Sequence, residues 1–170
     1  MRDKVSITAA DECGGYPDTL IACPDFVLST LAMTVSDLLE ETVAPLGLRI
    51  RHYRALRLLN FEGPQFQGHL RSALGVDRTT VVALVDYLEG HGLAKRERSR
   101  ADRRVYVVKL TPKGRKLAQR ATDLVNAAEK QMYAPLDARE RRTLQDLSLR
   151  LLGSPGPIAA SLPPRPSSRV

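Results

Sequence analysis

At 170 residues and 43% hydrophobic, the chain has enough apolar material for one compact core with arms, and its composition is not that of a disordered polymer. No run of about eighteen apolar residues exists to cross a membrane, and the opening MRDKVSITAADE lacks the apolar centre of a secretory leader, so a cytoplasmic location without membrane contact is expected. Two cysteines, Cys13 and Cys23, and three scattered histidines make neither a disulfide framework nor a metal site, and no cofactor is expected.

In residues 1–24, Gly14, Gly15, Pro17 and Pro24 interrupt any periodicity, which predicts an irregular arm. Asp25 can cap a helix whose Leu28, Leu31, Val35, Leu38 and Leu39 share a face and which stops at Pro45 and Gly47. A second helix runs from Arg49 to Glu62, and a short third from about Gln65 to Ala73 before Leu74-Gly75. Asp77 then caps a helix that turns Val81, Leu84, Val85 and Leu88 inward and ends at His91-Gly92.

Two helices joined by a short turn containing glycine are the signal of a helix-turn-helix. With the four apolar residues facing in, Arg78, Thr79, Val82, Ala83 and Asp86 face out. That face is slim, as a helix entering a major groove requires, and Arg78 could fork to a guanine or hold a phosphate. Thr79 and Thr80 add hydroxyls, although threonine is also at home at any helix start.

Leu93–Arg98 and Val105–Leu110 read as the strands of a hairpin with Ser99–Asp102 as its turn. Between Lys95 and Lys116 lie ten basic residues against Glu97 and Asp102, a local net charge of +8 in a chain whose total is +7. Such a run is often only a solvated hairpin; it is also a surface that releases counterions from a polyanion. Thr111-Pro112 starts a long helix with Leu117, Ala121, Leu124, Val125, Ala128 and Met132 on one stripe, ending at Pro135. A last helix opens with Asp137 and Glu140 as a capping box and turns Leu144, Leu147, Leu151 and Leu152 inward. Residues 153–170, rich in proline and serine, read as a flexible tail.

Residues 26–152 closely resemble the MarR (multiple antibiotic resistance regulator) family. The resemblance rests on the element order, on the run from Leu84 to Glu89 before Gly92-Leu93, on Asp102-Arg103-Arg104, and on the stretch from Leu110 to Arg115. It implies a mainly α winged helix-turn-helix fold with a small β-hairpin wing, the winged part at about 49–111 and dimerisation helices at about 25–47 and 112–152. It further implies a homodimeric transcriptional regulator, usually a repressor, on a pseudo-palindromic double-stranded DNA operator. The expected DNA-binding residues are Gln65, Gln67, Arg78, Thr79, Thr80, Ala83, Arg100, Asp102, Arg103 and Arg104, with Arg104 entering the minor groove and Asp102 orienting it. The amphipathic first and last helices independently favour pairing with a second copy.

Many members of that family are released from DNA by a small aromatic acid or phenol. Arg49, Arg51, His52 and Tyr53 could seize a carboxylate or ring, the plainer reading being two surface residues, Arg51 and His52, with Tyr53 in the core. Another branch senses peroxide through a cysteine near the position of Cys23, supported by tyrosines; Leu39 and Ile50 occupy the roughly equivalent positions here, so an inert cysteine is expected. No nucleophile motif, phosphate-cradling loop or metal quartet suggests an enzyme. The remaining alternative is a winged-helix module for architecture or protein binding.

Overall fold

A computed structural model describes residues 15–99 and 105–153. In chain order it contains α1 (Asp18–Ile21), α2 (Pro24–Val43), α3 (Ile50–Phe61), β1 (Gln65–Phe66), α4 (Gln67–Leu74), α5 (Arg78–Gly90), β2 (Ala94–Arg98), β3 (Tyr106–Leu110), α6 (Pro112–Met132) and α7 (Ala138–Gly153). The expected fold class is the one observed: mostly helical, with a small three-stranded sheet.

The chain divides into two compact units at Leu39 and Glu40. In the first, α1 lies inside the stretch expected to be irregular, because Pro17 sets its start and its carbonyl accepts from the Leu20 and Ile21 amides. Tyr16 meets Phe26 edge to face, with ring centroids 5.3 Å apart. Pro24 is the first residue of α2, so Asp25 sits in the first turn rather than at the cap.

In the second unit, a single 3-10 turn, Ala44–Leu46, follows α2 and ends at Gly47, whose φ of 71° is the left-handed conformation glycine adopts without cost. The core is built from Leu56 of α3, Leu70 of α4, Val85 and Leu88 of α5, Val108 of β3 and Val125 of α6, all fully buried. All four apolar residues expected to face inward on α5 do so. The sheet is antiparallel in the order β1-β3-β2. The two-residue β1, which pairs Gln65 with Val108 and Phe66 with Val107, stands where the start of a helix was expected.

The start of α6 is tied to Gly92 and Leu93, just ahead of β2. Thr111 caps the helix by accepting the Gly114 amide on Oγ1 (3.0 Å) while donating its hydroxyl to the Gly92 carbonyl (2.7 Å), and its own amide bonds Leu93 O (3.0 Å). This brings the helix so close to that backbone that a β-carbon on Gly114 would lie 1.9 Å from the Leu93 carbonyl oxygen. The buried face of α6 is Gly114, Ala118, Ala121, Thr122 and Val125. Of the expected stripe, Leu117, Ala128 and Met132 are only half-buried and Leu124 is exposed, because the small residues rather than the large ones admit the neighbouring elements.

The capping box of α7 forms as expected: Glu140 Oε2 accepts the Asp137 amide (2.8 Å) and Asp137 Oδ1 the Glu140 amide (2.9 Å). Its leucines do not turn inward. No residue of α7 is buried, and Leu147, Leu149, Leu151 and Leu152 are 44–58% exposed.

Candidate nucleic-acid interface

Local chemistry sets up α5. Gly75, at φ 66°, closes α4 and turns the chain toward Asp77, whose carboxylate accepts the Thr80 amide (2.8 Å) and the Thr80 hydroxyl (2.6 Å). The Thr80 hydroxyl and amide bonds hold the Asp77 carboxyl below the usual carboxylate range. Thr80 is therefore committed to the cap, and its hydroxyl proton is spent there. Arg78, Thr79, Val82, Ala83 and Asp86 are exposed, as the helical period predicts. Arg78 makes no hydrogen bond or ion pair among the described residues, leaving its guanidinium fork free.

The hairpin puts different chemistry on its two faces. Cross-strand partners share a face, so Ala94, Arg96, Val108 and Leu110 lie on the side of α5, while Lys95, Glu97, Val107 and Lys109 lie on the other. On the outer face, Lys95 and Lys109 stand directly opposite each other and both pair with Glu97, Lys95 at 2.8 Å. Those two lysines, Lys109 first, hold the Glu97 carboxyl below its usual range. They also help line a cleft of about 510 Å³ with Arg115, Leu59 and Pro64.

On the inner face, Arg96 reaches α5. Its Nη1 donates to Asp86 Oδ1 (2.6 Å) and to Glu89 Oε2, its amide donates to Glu89 Oε1 (2.5 Å), and its Nε points to Gln67 Oε1 (3.4 Å). Burial opposes the Arg96 charge, but the bonds to Asp86 and Glu89 outweigh it and raise the pKa further. The +8 segment is thus not one surface: Arg96 is internally neutralised, and Lys95 and Lys109 point away from α5.

Gln65 spends an amide proton on the Glu62 carbonyl (3.2 Å), and Gln67 retains its amide group beside Arg96. Arg100, Asp102, Arg103 and Arg104 lie outside the described residues.

Of the expected effector residues, Arg49, Arg51 and His52 line a cleft of about 370 Å³ together with Tyr87, Leu84 and, from the outer side of α5, Thr79, Thr80 and Ala83. Tyr53 does not join them. It is buried in the core, where its hydroxyl accepts from Arg57 Nη1 (3.0 Å). His52 is buried as well, against the expectation of a surface position. Its Nδ1 accepts the Arg49 amide (3.2 Å), and its ring stacks on Tyr87 with centroids 3.9 Å apart and planes within 4°. Burial, then the charges of Arg51 and Arg49, lower its pKa from 6.5 to about 4, so the ring is neutral near pH 7. Tyr87 stacks in turn on His91 (4.0 Å), and its hydroxyl donates to the Gly47 carbonyl. Sequence reading missed Tyr87, His91 and the turn of Arg96 toward α5. The one available signal was an acidic pair, Asp86 and Glu89, three residues apart on a helix offered to a polyanion.

Among the described residues no helix is long and apolar enough to cross a membrane, and no cluster of potential ligands could hold a metal ion.

Residues 46–105 match the family model described as MarR family. A putative transcriptional regulatory protein for the hcr operon of Thauera aromatica is 38% identical over 85 residues; the match takes in 50% of this chain and 51% of that protein, so the chain spans about half the length of this curated relative. The transcriptional repressor CouR bound to a 23-mer DNA duplex is 30% identical, with 79% of this chain and 95% of that one covered at a TM-score of 0.73. CouR from Rhodococcus jostii RHA1 bound to p-coumaroyl-CoA is 25% identical, with 82% and 99% covered at a TM-score of 0.69. With the helix-turn-helix, the wing and these likenesses in agreement, the chain belongs to the MarR family.

Proposed function

We propose that the chain is a non-catalytic, sequence-specific double-stranded DNA-binding transcriptional regulator, a cytoplasmic homodimeric repressor released by a small aromatic or phenolic ligand. The observation that carries DNA binding is the outer face of α5, slim and headed by the free fork of Arg78. Arg78 reads a guanine, Thr79 and Ala83 let the backbone approach, and Gln67, Arg100, Arg103 and Arg104 anchor or enter the neighbouring grooves. The likeness to a repressor bound to a DNA duplex supports the same reading. Homodimerisation is supported by the unburied leucines of α7 and, separately, by exposed Val27, Leu28, Leu31 and Met33 of α2.

Release by a ligand is supported by the cleft beneath α5. Arg49 and Arg51 supply charge for a carboxylate, Tyr87 supplies an aromatic wall, and Thr79, Thr80 and Ala83 couple the cleft to the recognition face. The likeness to a regulator bound to p-coumaroyl-CoA supports an aromatic acid or its thioester as the ligand class.

The test is a footprint on DNA upstream of the chain's own gene, followed by competition with random duplex. Expected are a pseudo-palindrome with half-sites roughly 10 bp apart and a preference of about 10³-fold or more. Equal affinity for all sequences would instead identify an architectural module. Added aromatic carboxylates should release the footprint, and Arg49→Ala with Arg51→Ala should abolish that release while leaving the footprint in place.

A further inference from the structure

Arg96 lies in the strand β2, within the most basic part of the chain, yet its side chain is only 20% exposed. It joins three elements: β2 through its backbone, α4 through Gln67, and α5 through Asp86, Glu89 and, at 3.5 Å, the Val82 carbonyl. Val82 and Asp86 belong to the outer face of α5, and the Asp86 side chain is 58% exposed. Left alone, Asp86 and Glu89 would set two negative charges beside a phosphate backbone. One guanidinium offers both carboxylates directed hydrogen bonds, which a lysine ammonium cannot match in fixed geometry.

Resting on the proposed DNA-binding function, we infer that Arg96 is a positioning residue that clamps the recognition helix to the wing strand and screens Asp86 and Glu89 from DNA, without itself touching phosphate. The clamp fixes the angle between the two elements that must enter neighbouring grooves together. It also commits Oδ1 of Asp86 and offsets the charge of that carboxylate, leaving Oδ2 as its remaining acceptor.

The experiment measures operator affinity as a function of salt for the full-length chain and for Arg96→Met, Arg96→Lys and the triple variant Arg96→Met/Asp86→Asn/Glu89→Gln, at a temperature where thermal unfolding shows each to be folded. Wild type must first prefer its operator over random duplex; absence of that preference refutes the function and not the clamp. Given it, Arg96→Met should weaken operator binding by about 10- to 100-fold, the size of couplings within one hydrogen-bonded network, and its orphaned carboxylates, now repelling phosphate, should make log K fall less steeply with log salt. Arg96→Lys should recover only part of the loss. The triple variant should recover affinity for random duplex, because the orphaned carboxylates are gone, but not the operator preference, because the helix is still unclamped. A slope still reduced by about 0.9, the value of one lost phosphate contact, in the triple variant, where no carboxylate is left to repel phosphate and the wild-type slope is expected, would make Arg96 a DNA ligand and overturn the inference. Unchanged affinity in a folded Arg96→Met would overturn it equally. If Arg96→Met does not fold, the triple variant decides: a salt slope reduced by about 0.9 or a full operator preference there would overturn the inference.

Discussion

The same leucine spacing meets two fates in this chain. In the winged-helix body, Leu56 and Leu59 of α3 and Leu84 and Leu88 of α5 recur at helical intervals and are buried; in α7, Leu144, Leu147 and Leu151 recur in the same way and none is buried. Periodicity states that a helix has an apolar side. It does not state which surface covers that side, because burial depends on what the rest of the chain, or another chain, brings to it. The body is closed by contacts distant in sequence, such as α3 against α6 and β1 against β3. Among the described residues the α7 stripe has no such closure.

The largest effect is expected where the body is closed most tightly. Gly114→Ala places a carbon 1.9 Å from the Leu93 carbonyl, and the obstacle is backbone, so no rotamer can relieve it. A loss of about 4 kcal/mol or more is expected, read as failure to fold or as a strongly lowered urea midpoint. A midpoint equal to wild type would mean that α6 and the Leu93 backbone do not meet there.

Next in size is the direct contrast between buried and unburied leucines. Leu56→Ala empties part of a fully buried site and should cost about 2–5 kcal/mol at every protein concentration. Leu151, 51% exposed, should behave differently: if a second copy covers α7, Leu151→Ala lowers stability only at concentrations where wild type is assembled. Urea unfolding of both variants across a hundred-fold dilution series reads this out. A Leu151→Ala cost independent of concentration would place its partner surface in its own chain.

Much of the body was legible in sequence because its signals are local. Asp77, Thr111 and the Asp137–Glu140 pair announce helix starts through chemistry completed within three residues, and all three form the expected bonds. The inward face of α5 follows from period alone. What escaped depends on partners far along the chain. β1 is two residues long and exists only through β3, some forty residues later. The stripe of α6 was assigned to its large residues, whereas the small Gly114 and Ala118 are buried, Gly114 because the Leu93 backbone comes so close to it. In the candidate site, Arg96 was counted with the wing cations because sequence displays a charge without its counter-charge. The Asp86 and Glu89 that neutralise it lie ten and seven residues away on another element.

A third prediction separates His52 from the rest of the body. Its pKa falls from 6.5 to about 4 on folding, so between those values the unfolded chain binds the extra proton. The stability contributed by the neutral ring is present above pH 6.5 and is lost as pH falls toward 4, a loss on the order of 2 kcal/mol. His52→Asn keeps an acceptor for the Arg49 amide and removes the titration. Urea midpoints between pH 7 and 4.5 should slope downward for wild type and be nearly flat for the variant; parallel slopes would mean that His52 is not the group titrating.

The smallest expected effect lies at the exposed start of α5. Asp77→Ala removes the acceptor of both Thr80 bonds, leaving an amide of the first turn to water and freeing the Thr80 hydroxyl. The thermal midpoint should fall by only a few degrees, since solvent replaces much of what is lost. Because folding lowers the pKa of this carboxyl, its contribution is present above the usual value of 3.8 and vanishes as pH falls through the folded value, so the difference between wild type and variant should shrink in acid. Asp77→Ser, which retains a capping oxygen, should restore most of the midpoint. The same pair of variants bears on recognition: Thr80 is tied to Asp77 in wild type, so if its hydroxyl were needed by DNA the cap and the operator would compete for it. Operator affinity that falls in Asp77→Ala and returns in Asp77→Ser assigns Thr80 to building the helix end. Affinity that rises when Asp77 is removed would make Thr80 a DNA contact held back by its own cap.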